Sequence, residues 1–321
     1  MELQRTATSN PKAITIRQLL QQGTGFLSRM GVESARLDAE LLLGKVVGCG
    51  REELYLNYEM ALKAGEKDLF QRALQRRARR EPVSYITGHR EFWSLDFLVT
   101  ADVLVPRPET ELLVEVAIGL LNGRKRDSLP PLSLPLGKGE IKRGCAERTP
   151  KILDLGTGSG AIAVSLAKER SDVEIWATDL FPGALEIARA NVARHGVNER
   201  TRFLQGDIFE PVEGWSGFFH MIVSNPPYVC RGEIQDLPPE VRDWEPRSAW
   251  DGGWDGLDLL RRIIQDGHLY LKEKGFMALE IGADMGEKVC RLIESVGCYS
   301  EGSVYQDLAG RDRLVVTRKL P

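Results

Sequence analysis

From residue 151 onward the chain alternates short β-rich runs with amphipathic helical stretches, and that alternation leaves few folds open. Residues 151–156 (KILDLG), 173–179 (VEIWATD), 201–206 (TRFLQG), 218–225 (FFHMIVSN), 275–282 (GFMALEIG) and 313–319 (RLVVTRK) are runs of branched and apolar residues of strand length. Between them, residues 161–170, 182–195, 257–271 and 284–296 place apolar side chains at helical spacing, the second stretch opened by Pro182 and closed by Gly196. Parallel strands need crossover connections, so the series predicts an α/β fold with a mostly parallel sheet and helices on both faces. Ligands of such sheets bind beyond the carboxyl ends of the strands, where the strand order reverses. The residues that end the strands are therefore expected to share one edge.

A chain of 321 residues is long enough for that domain and a smaller one. Residues 1–82 read as a small helical domain, with Leu19, Leu20, Leu27, Leu37, Leu41, Leu42, Val46 and Leu69 at helical spacings. Its last helix carries Arg72, Arg76, Arg77, Arg79 and Arg80 before Pro82, read as a solvated face or as a docking surface for an acidic or nucleic-acid partner. Residues 83–105 are aromatic and β-branched, with Gly88 and Asp102 as turn candidates, and read as a β-hairpin connector. The main domain spans 106–321 and opens with a helix after Pro108 that carries Leu112, Leu113, Val116, Ala117, Leu120 and Leu121. Residues 123–150 combine proline, glycine and basic residues without apolar period and are expected to form a flexible insertion loop.

Composition narrows the function classes. The net charge of −3 and pI near 6.0 argue against a protein that holds nucleic acid by massive phosphate neutralisation. Five cysteines, odd in number and without a CxxC pair, suggest neither zinc nor a redox dithiol and suit a reducing compartment. The N-terminus MELQRTATSNPKAIT has no apolar core of a signal, and no segment approaches the roughly 18 apolar residues that span a bilayer. A cytoplasmic protein without membrane attachment or metal is expected.

Three strand ends carry the chemistry. Asp154-Leu155-Gly156-Thr157-Gly158-Ser159-Gly160 follows a strand and opens a helix, where glycines let the backbone turn sharply and approach a ligand. Taken alone, such a turn also serves strand–helix packing. Asp179 ends the next strand, about 20 residues on, where a carboxylate can accept both ribose hydroxyls. Asp207 ends the third and could accept an adenine amino group while Ile208 packs on the ring; an ordinary turn aspartate is the competing reading. The glycines sit as GxGxG, which disfavours a nicotinamide dinucleotide without excluding it and denies the third glycine its usual packing role.

Asn225-Pro226-Pro227-Tyr228 follows the apolar strand Met221-Ile222-Val223. Two prolines hold the chain extended and remove two amide donors, so the Asn225 side chain and the Pro226 carbonyl can both accept from one NH2 group. An amide or exocyclic amino nitrogen is a poor nucleophile because its lone pair is delocalised. Accepting from both of its N–H groups pushes density back onto nitrogen and stabilises the charge that develops there, while Tyr228 covers the planar face. Asn225, Pro226 and Tyr228 are the candidate catalytic residues; Asn225 also borders the cofactor, and Pro227 joins the substrate grip.

In this order the motifs resemble the class I, Rossmann-like methyltransferases with a seven-stranded sheet. The NPPY loop is similar to that of adenine-N6 and cytosine-N4 DNA methyltransferases, some rRNA methyltransferases and protein-glutamine methyltransferases. Glu81-Pro82-Val83 with Tyr85, Arg90-Glu91-Phe92-Trp93, the segment 105–111 (VPRPETE), Glu245-Pro246-Arg247, Asp251-Gly252-Gly253, Asp255-Gly256-Leu257, Glu280-Ile281-Gly282 and the segment 307–312 (DLAGRD) resemble the peptide-chain release factor glutamine N5-methyltransferases, the PrmC/HemK family, from about residue 15 onward. The resemblance implies transfer of a methyl group from S-adenosylmethionine to the glutamine amide of the Gly-Gly-Gln motif in class I release factors, leaving S-adenosylhomocysteine. Gly156, Thr157, Gly158, Ser159, Gly160 and Asp179 would hold the cofactor, Asp207 and Ile208 its adenine, and Asn225 to Tyr228 the glutamine. Arg107, Glu109 and Thr110 would close over its methionine end. The helical domain would contact the protein substrate, with the arginines at 72–80 docking an acidic surface. Two departures stand out: the 123–150 loop is longer than the family's connection, and Ile208 stands where an aromatic residue is common. The competing readings are a nucleic-acid amino methyltransferase acting on a flipped adenine, and a non-catalytic translation-factor binder that keeps the cofactor for stability.

Overall fold

Helix α1 (Ile16–Arg29) begins with a reciprocal cap: Thr15 Oγ1 accepts from Gln18 N at 3.3 Å, and Gln18 Oε1 accepts from Thr15 N at 3.1 Å. In the computed structural model, which describes residues 14–123 and 149–321, α1 belongs to the first of two units. That unit runs to His89 and includes Pro238–Trp244. It contains α2 (Ala35–Val47), α3 (Arg51–Leu56), α4 (Glu66–Ala78), α5 (Val83–Thr87) and, from the later segment, α9 (Pro239–Arg242). Its core is Ile16, Leu19, Leu27, Leu42, Leu43, Leu54, Phe70 and Leu74. Leu37 and Leu69, expected inside, are 42% and 53% exposed, because α2 turns Ala39, Leu42 and Leu43 inward and α4 turns Phe70 and Leu74 inward.

The arginine stretch is a solvated face only in part: Arg72, Arg76 and Arg79 are exposed. Arg77 is buried, with Nε 2.6 Å from Asp38 Oδ2 and Nη2 2.8 Å from Glu240 Oε1. Arg80 also pairs with Glu240 and donates to the Gly31 carbonyl at 2.7 Å, and Arg76 Nε holds Glu81 at 2.8 Å. Among the described residues only Arg72 and Arg79 of this stretch are without an ion pair, and both are exposed.

The second unit comprises Arg90–Leu237 and Glu245–Pro321. Residues 83–87, read from sequence as the start of a hairpin connector, form helix α5; the hairpin itself is β1 (His89–Phe92) and β2 (Leu95–Leu98). Its two-residue turn is Trp93-Ser94, with φ of 52° and 56°. Two successive left-handed residues make the turn whose twist matches the strands, and neither is the usual glycine or asparagine. Trp93 is held there by its backbone N–H on Glu111 Oε1 (2.8 Å) and its indole N–H on Glu169 Oε1 (2.9 Å).

Helix α6 (Glu111–Leu121) precedes the main sheet. Its strands are β3 (Lys151–Leu155), β4 (Glu174–Asp179), β5 (Thr201–Gln205), β6 (Phe219–Ser224), β7 (Leu271–Glu280), β8 (Ser303–Gln306) and β9 (Asp312–Arg318), in the order β5-β4-β3-β6-β7-β9-β8. The first five are parallel; β9 runs antiparallel to β7, and β8 to β9. Ile152 and Leu153, neighbours on β3, point to opposite faces and into two separate cores, which is why the strands read as continuous apolar runs. One core includes α6 and α7 (Ala161–Glu169); the other includes α10 (Asp258–Tyr270) and α11 (Gly286–Val296). Helix α8 (Pro182–His195) completes the series. The expected mostly parallel, seven-stranded sheet with helices on both faces is the fold observed; the seventh strand, β8, carries no apolar run and was not distinguishable in the sequence. The 123–150 loop falls almost wholly outside the described residues. Among the described residues no helix is long and apolar enough to cross a membrane.

Candidate active site

The strand order reverses at β3, which pairs β4 on one side and β6 on the other, so the ends of these strands border one crevice. A cavity of about 450 Å³ opens there, in the range of small-molecule sites. Its lining includes Arg107, Thr110, Gly156, Thr157, Gly158, Ser159, Asp179, Asp207, Ile208, Asn225, Pro226 and Pro227. Three candidate residues do not line it: Gly160, Glu109 and Tyr228.

The glycine turn is built for close backbone approach. Gly156 and Gly158 have φ of 68° and 54°, and a Cβ at either would meet open space, so their bareness leaves room for a ligand. Gly160 differs: a Cβ there would lie 3.2 Å from Ala188 Cβ on α8. The third glycine thus lets the turn approach helix α8, a contact different from the helix–strand packing of dinucleotide folds. Asn191 of α8, fully buried, secures the same turn, donating from Nδ2 to the Ser159 carbonyl (2.8 Å) and the Leu98 carbonyl (3.0 Å) while Oδ1 accepts from Leu98 N (2.7 Å). Nothing in the sequence pattern marked Asn191.

Asp179 is 8% exposed, and each oxygen is fixed by a backbone donor: Oδ2 by Gly158 N at 2.9 Å and Oδ1 by Phe181 N at 3.0 Å. Burial pushes its pKa up against these hydrogen bonds. Each oxygen retains a lone pair for a hydroxyl, which fits a ribose diol. Beneath it Asp154 is wholly buried; Oδ2 accepts from Thr157 Oγ1 at 2.6 Å, Oδ1 has no partner, and burial drives the carboxyl up to about 7. Asp207 is half-exposed and paired with Arg262, 2.6 Å away, a cavity residue the sequence reading did not identify. Ile208 holds φ of 48°, rare for a β-branched side chain and a mark of local strain at the cavity wall. Leu180 and Phe181, about half exposed after Asp179, are further apolar lining without an earlier signal.

Arg107 borders the cavity, with Nη2 2.7 Å from both oxygens of the buried Glu245. Thr110 is turned to the NPPY loop: its Oγ1 accepts from Asn225 Nδ2 at 3.0 Å. The Tyr228 hydroxyl donates to Glu280 Oε1 at 3.2 Å, and burial pushes its phenol well above its ordinary value. The open space over two positive-φ glycines, the oriented Asp179 carboxylate and the cavity volume together fit an adenosine-bearing cofactor. Among the described residues no His, Cys, Asp and Glu cluster could hold a metal.

Two family models match the chain: the PrmC N-terminal domain over residues 18–88 and the methyltransferase small domain over residues 143–237. A release factor glutamine methyltransferase of Moorella thermoacetica is 40% identical over 300 residues, covering 94% of this chain and 97% of the relative. That of Geobacter sulfurreducens is 38% identical over 308 residues, 96% and 98% of the two chains. Among solved structures, the hMettl16 catalytic domain in complex with a MAT2A 3'UTR hairpin is similar in fold, with a TM-score of 0.52 at 14% identity over 76% of this chain and 81% of that one. A methyltransferase sheet, a cofactor-sized cavity at its switch point and relatives this similar end to end lead to one conclusion: the chain belongs to the release factor glutamine methyltransferase family.

Proposed function

We propose that this enzyme methylates the side-chain amide nitrogen, N5, of the glutamine in the Gly-Gly-Gln motif of class I release factors. The observation that carries the reading is the commitment of Asn225 Nδ2 to Thr110 Oγ1, which leaves Asn225 Oδ1 as an acceptor beside the cavity. Oδ1 and the Pro226 carbonyl then take the two N–H groups of the substrate amide. Tyr228, anchored through its hydroxyl, covers the amide plane and limits water. S-adenosylmethionine, when bound, supplies the electrophilic methyl group and leaves as S-adenosylhomocysteine. Gly156, Thr157, Gly158 and Ser159 approach it with backbone, Asp179 takes the ribose hydroxyls, Asp207 with Ile208 borders the adenine, and Arg107 lies toward the methionine end. The chain's own contribution is orientation of a weak nucleophile and stabilisation of the positive charge that grows on its nitrogen; the spare proton leaves along the same acceptors.

The substrate is a protein, and the rim offers it apolar contact. Trp254 is 84% exposed on a loop hydrogen-bonded to the segment after Tyr228: Gly252 N donates to Val229 O at 2.9 Å, and Arg231 N to Gly253 O at 3.0 Å. Such exposure of a tryptophan on a tethered loop suits a surface that a partner covers.

Transfer of labelled methyl from S-adenosylmethionine to purified release factor tests the reading. Wild type labels the factor; Asn225→Ala lowers the rate by on the order of 10²–10³-fold; a factor with its Gly-Gly-Gln glutamine replaced takes no label. Label appearing in RNA or DNA with the factor unmodified overturns the substrate assignment.

A further inference from the structure

No methyl group fits between Tyr228 and the loop 250–258. At Gly252 a Cβ would lie 2.7 Å from the Cα of Tyr228 and 2.8 Å from its carbonyl carbon; at Gly256 it would lie 2.4 Å from the Tyr228 carbonyl oxygen. Non-bonded carbon atoms rest about 3.5–4.0 Å apart, so a side chain at either position must drive the two segments apart by on the order of 1 Å. Both contacts are with backbone, and no change of rotamer relieves them. Gly256 also holds φ of 77°, a conformation that favours glycine on its own account, whereas the φ of Gly252 lies outside that region. The bareness of Gly252 therefore answers to the contact alone.

Backbone hydrogen bonds close the same approach. Val229 N donates to the Trp250 carbonyl at 2.8 Å, beside the bonds of Gly252 N to Val229 O and Arg231 N to Gly253 O. The loop is fixed from within by its own aspartates: Asp251 Oδ1 accepts from Gly253 N at 3.0 Å, and Asp255 Oδ1 from Leu257 N at 3.2 Å. Asp258 N closes it further, donating to the Gly252 carbonyl at 3.1 Å. Against this frame the catalytic segment is the part that yields. Tyr228 follows two prolines, whose fixed φ make residues 225–228 a stiff piece. A displacement at Tyr228 is therefore carried back to the Pro226 carbonyl and to Asn225.

We propose that Gly252, with Gly256, is a positioning residue for methyl transfer: by admitting the Tyr228 main chain to backbone contact, it sets how far the Asn225 and Pro226 acceptors reach toward the methyl donor. This rests on the proposed function.

The test compares Gly252→Ala and Gly256→Ala with wild type and with Gly232→Ala, whose Cβ meets open space at an ordinary φ. Gly252→Ala lowers kcat on release factor by on the order of 10²-fold, the cost of a 1 Å misplacement, with KM for S-adenosylmethionine and melting temperature nearly unchanged. Gly256→Ala loses at least as much, and Gly232→Ala keeps wild-type kinetics. Hydrogen exchange in the protein alone gives a second readout: the amides of Val229, Arg231 and Gly252 are protected in wild type, and exchange at least tenfold faster in Gly252→Ala. Wild-type kcat in Gly252→Ala overturns the proposal, as does a raised KM for the cofactor with kcat intact, which would mean that the loop and not the catalytic segment gives way. If wild type leaves the factor unmethylated, the proposed function fails, and exchange alone decides the contact: equal protection in wild type and Gly252→Ala sinks it. Should Gly252→Ala not fold, the wild-type amides decide, and free exchange at all three overturns the proposal.

Discussion

Asp154 illustrates what a single buried carboxyl does to this fold. Its ordinary pKa is 3.8, and burial raises it to about 7 in the folded protein. Between those values the native state holds a proton that the unfolded chain has released, so stability falls as pH rises across this window and levels off above it. Asp154→Asn removes the charge and the slope: thermal unfolding of the cofactor-free protein should show equal melting near pH 4, and a mutant more stable than wild type at pH 8 by a few kcal/mol or less. A difference that does not grow with pH contradicts the assignment. The residues whose chemistry is held in short motifs, Gly156, Gly158, Asp179 and Asn225, were legible from sequence because a strand end and its turn fix their place. Thr110 was named for the methionine end of the cofactor but not for its bond to Asn225, and Glu280, Asn191 and Arg262 had no assigned role. Their partners lie far along the chain, 115 residues away for Thr110 and Asn225, and no local pattern encodes such a meeting.

At the scale of elements, legibility followed burial. Strands β3, β4, β6, β7 and β9 were placed closely because both faces are covered and composition alone marks them, and the edge strand β5 by its apolar pair Phe203 and Leu204. Strand β8 is short and half-exposed, α5 is β-branched enough to resemble strand, and the Trp93-Ser94 turn lacks glycine. Helix α4 makes the sharpest case, since its arginines looked alike and are not. Arg77 neutralises Asp38 and Glu240 inside the first unit, and Glu240 keeps Arg80, so Arg77→Ala strands the buried Asp38 carboxylate and should cost about 3–5 kcal/mol in denaturant unfolding. Arg72→Glu, on the exposed face, should stay within about 0.5 kcal/mol of wild type. Equal losses would mean that the Arg77 cluster does not hold the unit. Only Arg72 and Arg79 can report on docking without also unfolding the domain. A raised KM for intact factor in Arg72→Glu with Arg79→Glu would support the docking role, and an unchanged one would remove it.

For the molecule as a whole, one sheet edge has to serve a small cofactor and a large protein. The cofactor cavity sits at the β3–β6 switch point, while in the proposed reaction the protein would reach Asn225 from outside. The loop after Tyr228 and the loop bearing Trp254 are joined backbone to backbone, and Gly256 packs so closely on Tyr228 that a Cβ would lie 2.4 Å from its carbonyl oxygen. A partner bound at Trp254 would therefore sit on a loop hydrogen-bonded through its backbone to the segment after Tyr228. Trp254→Ala removes almost no buried surface, so its melting temperature and cofactor affinity should match wild type. Its KM for intact release factor should rise about tenfold, the loss of one aromatic anchor of 1–2 kcal/mol, with kcat preserved because the acceptors at Asn225 and Pro226 are untouched. Steady-state kinetics with the intact factor decide it: an unchanged KM means that the protein approaches over another part of the rim, whereas a fall in kcat at constant KM means that the Trp254 loop shapes the catalytic loop and does not bind the partner.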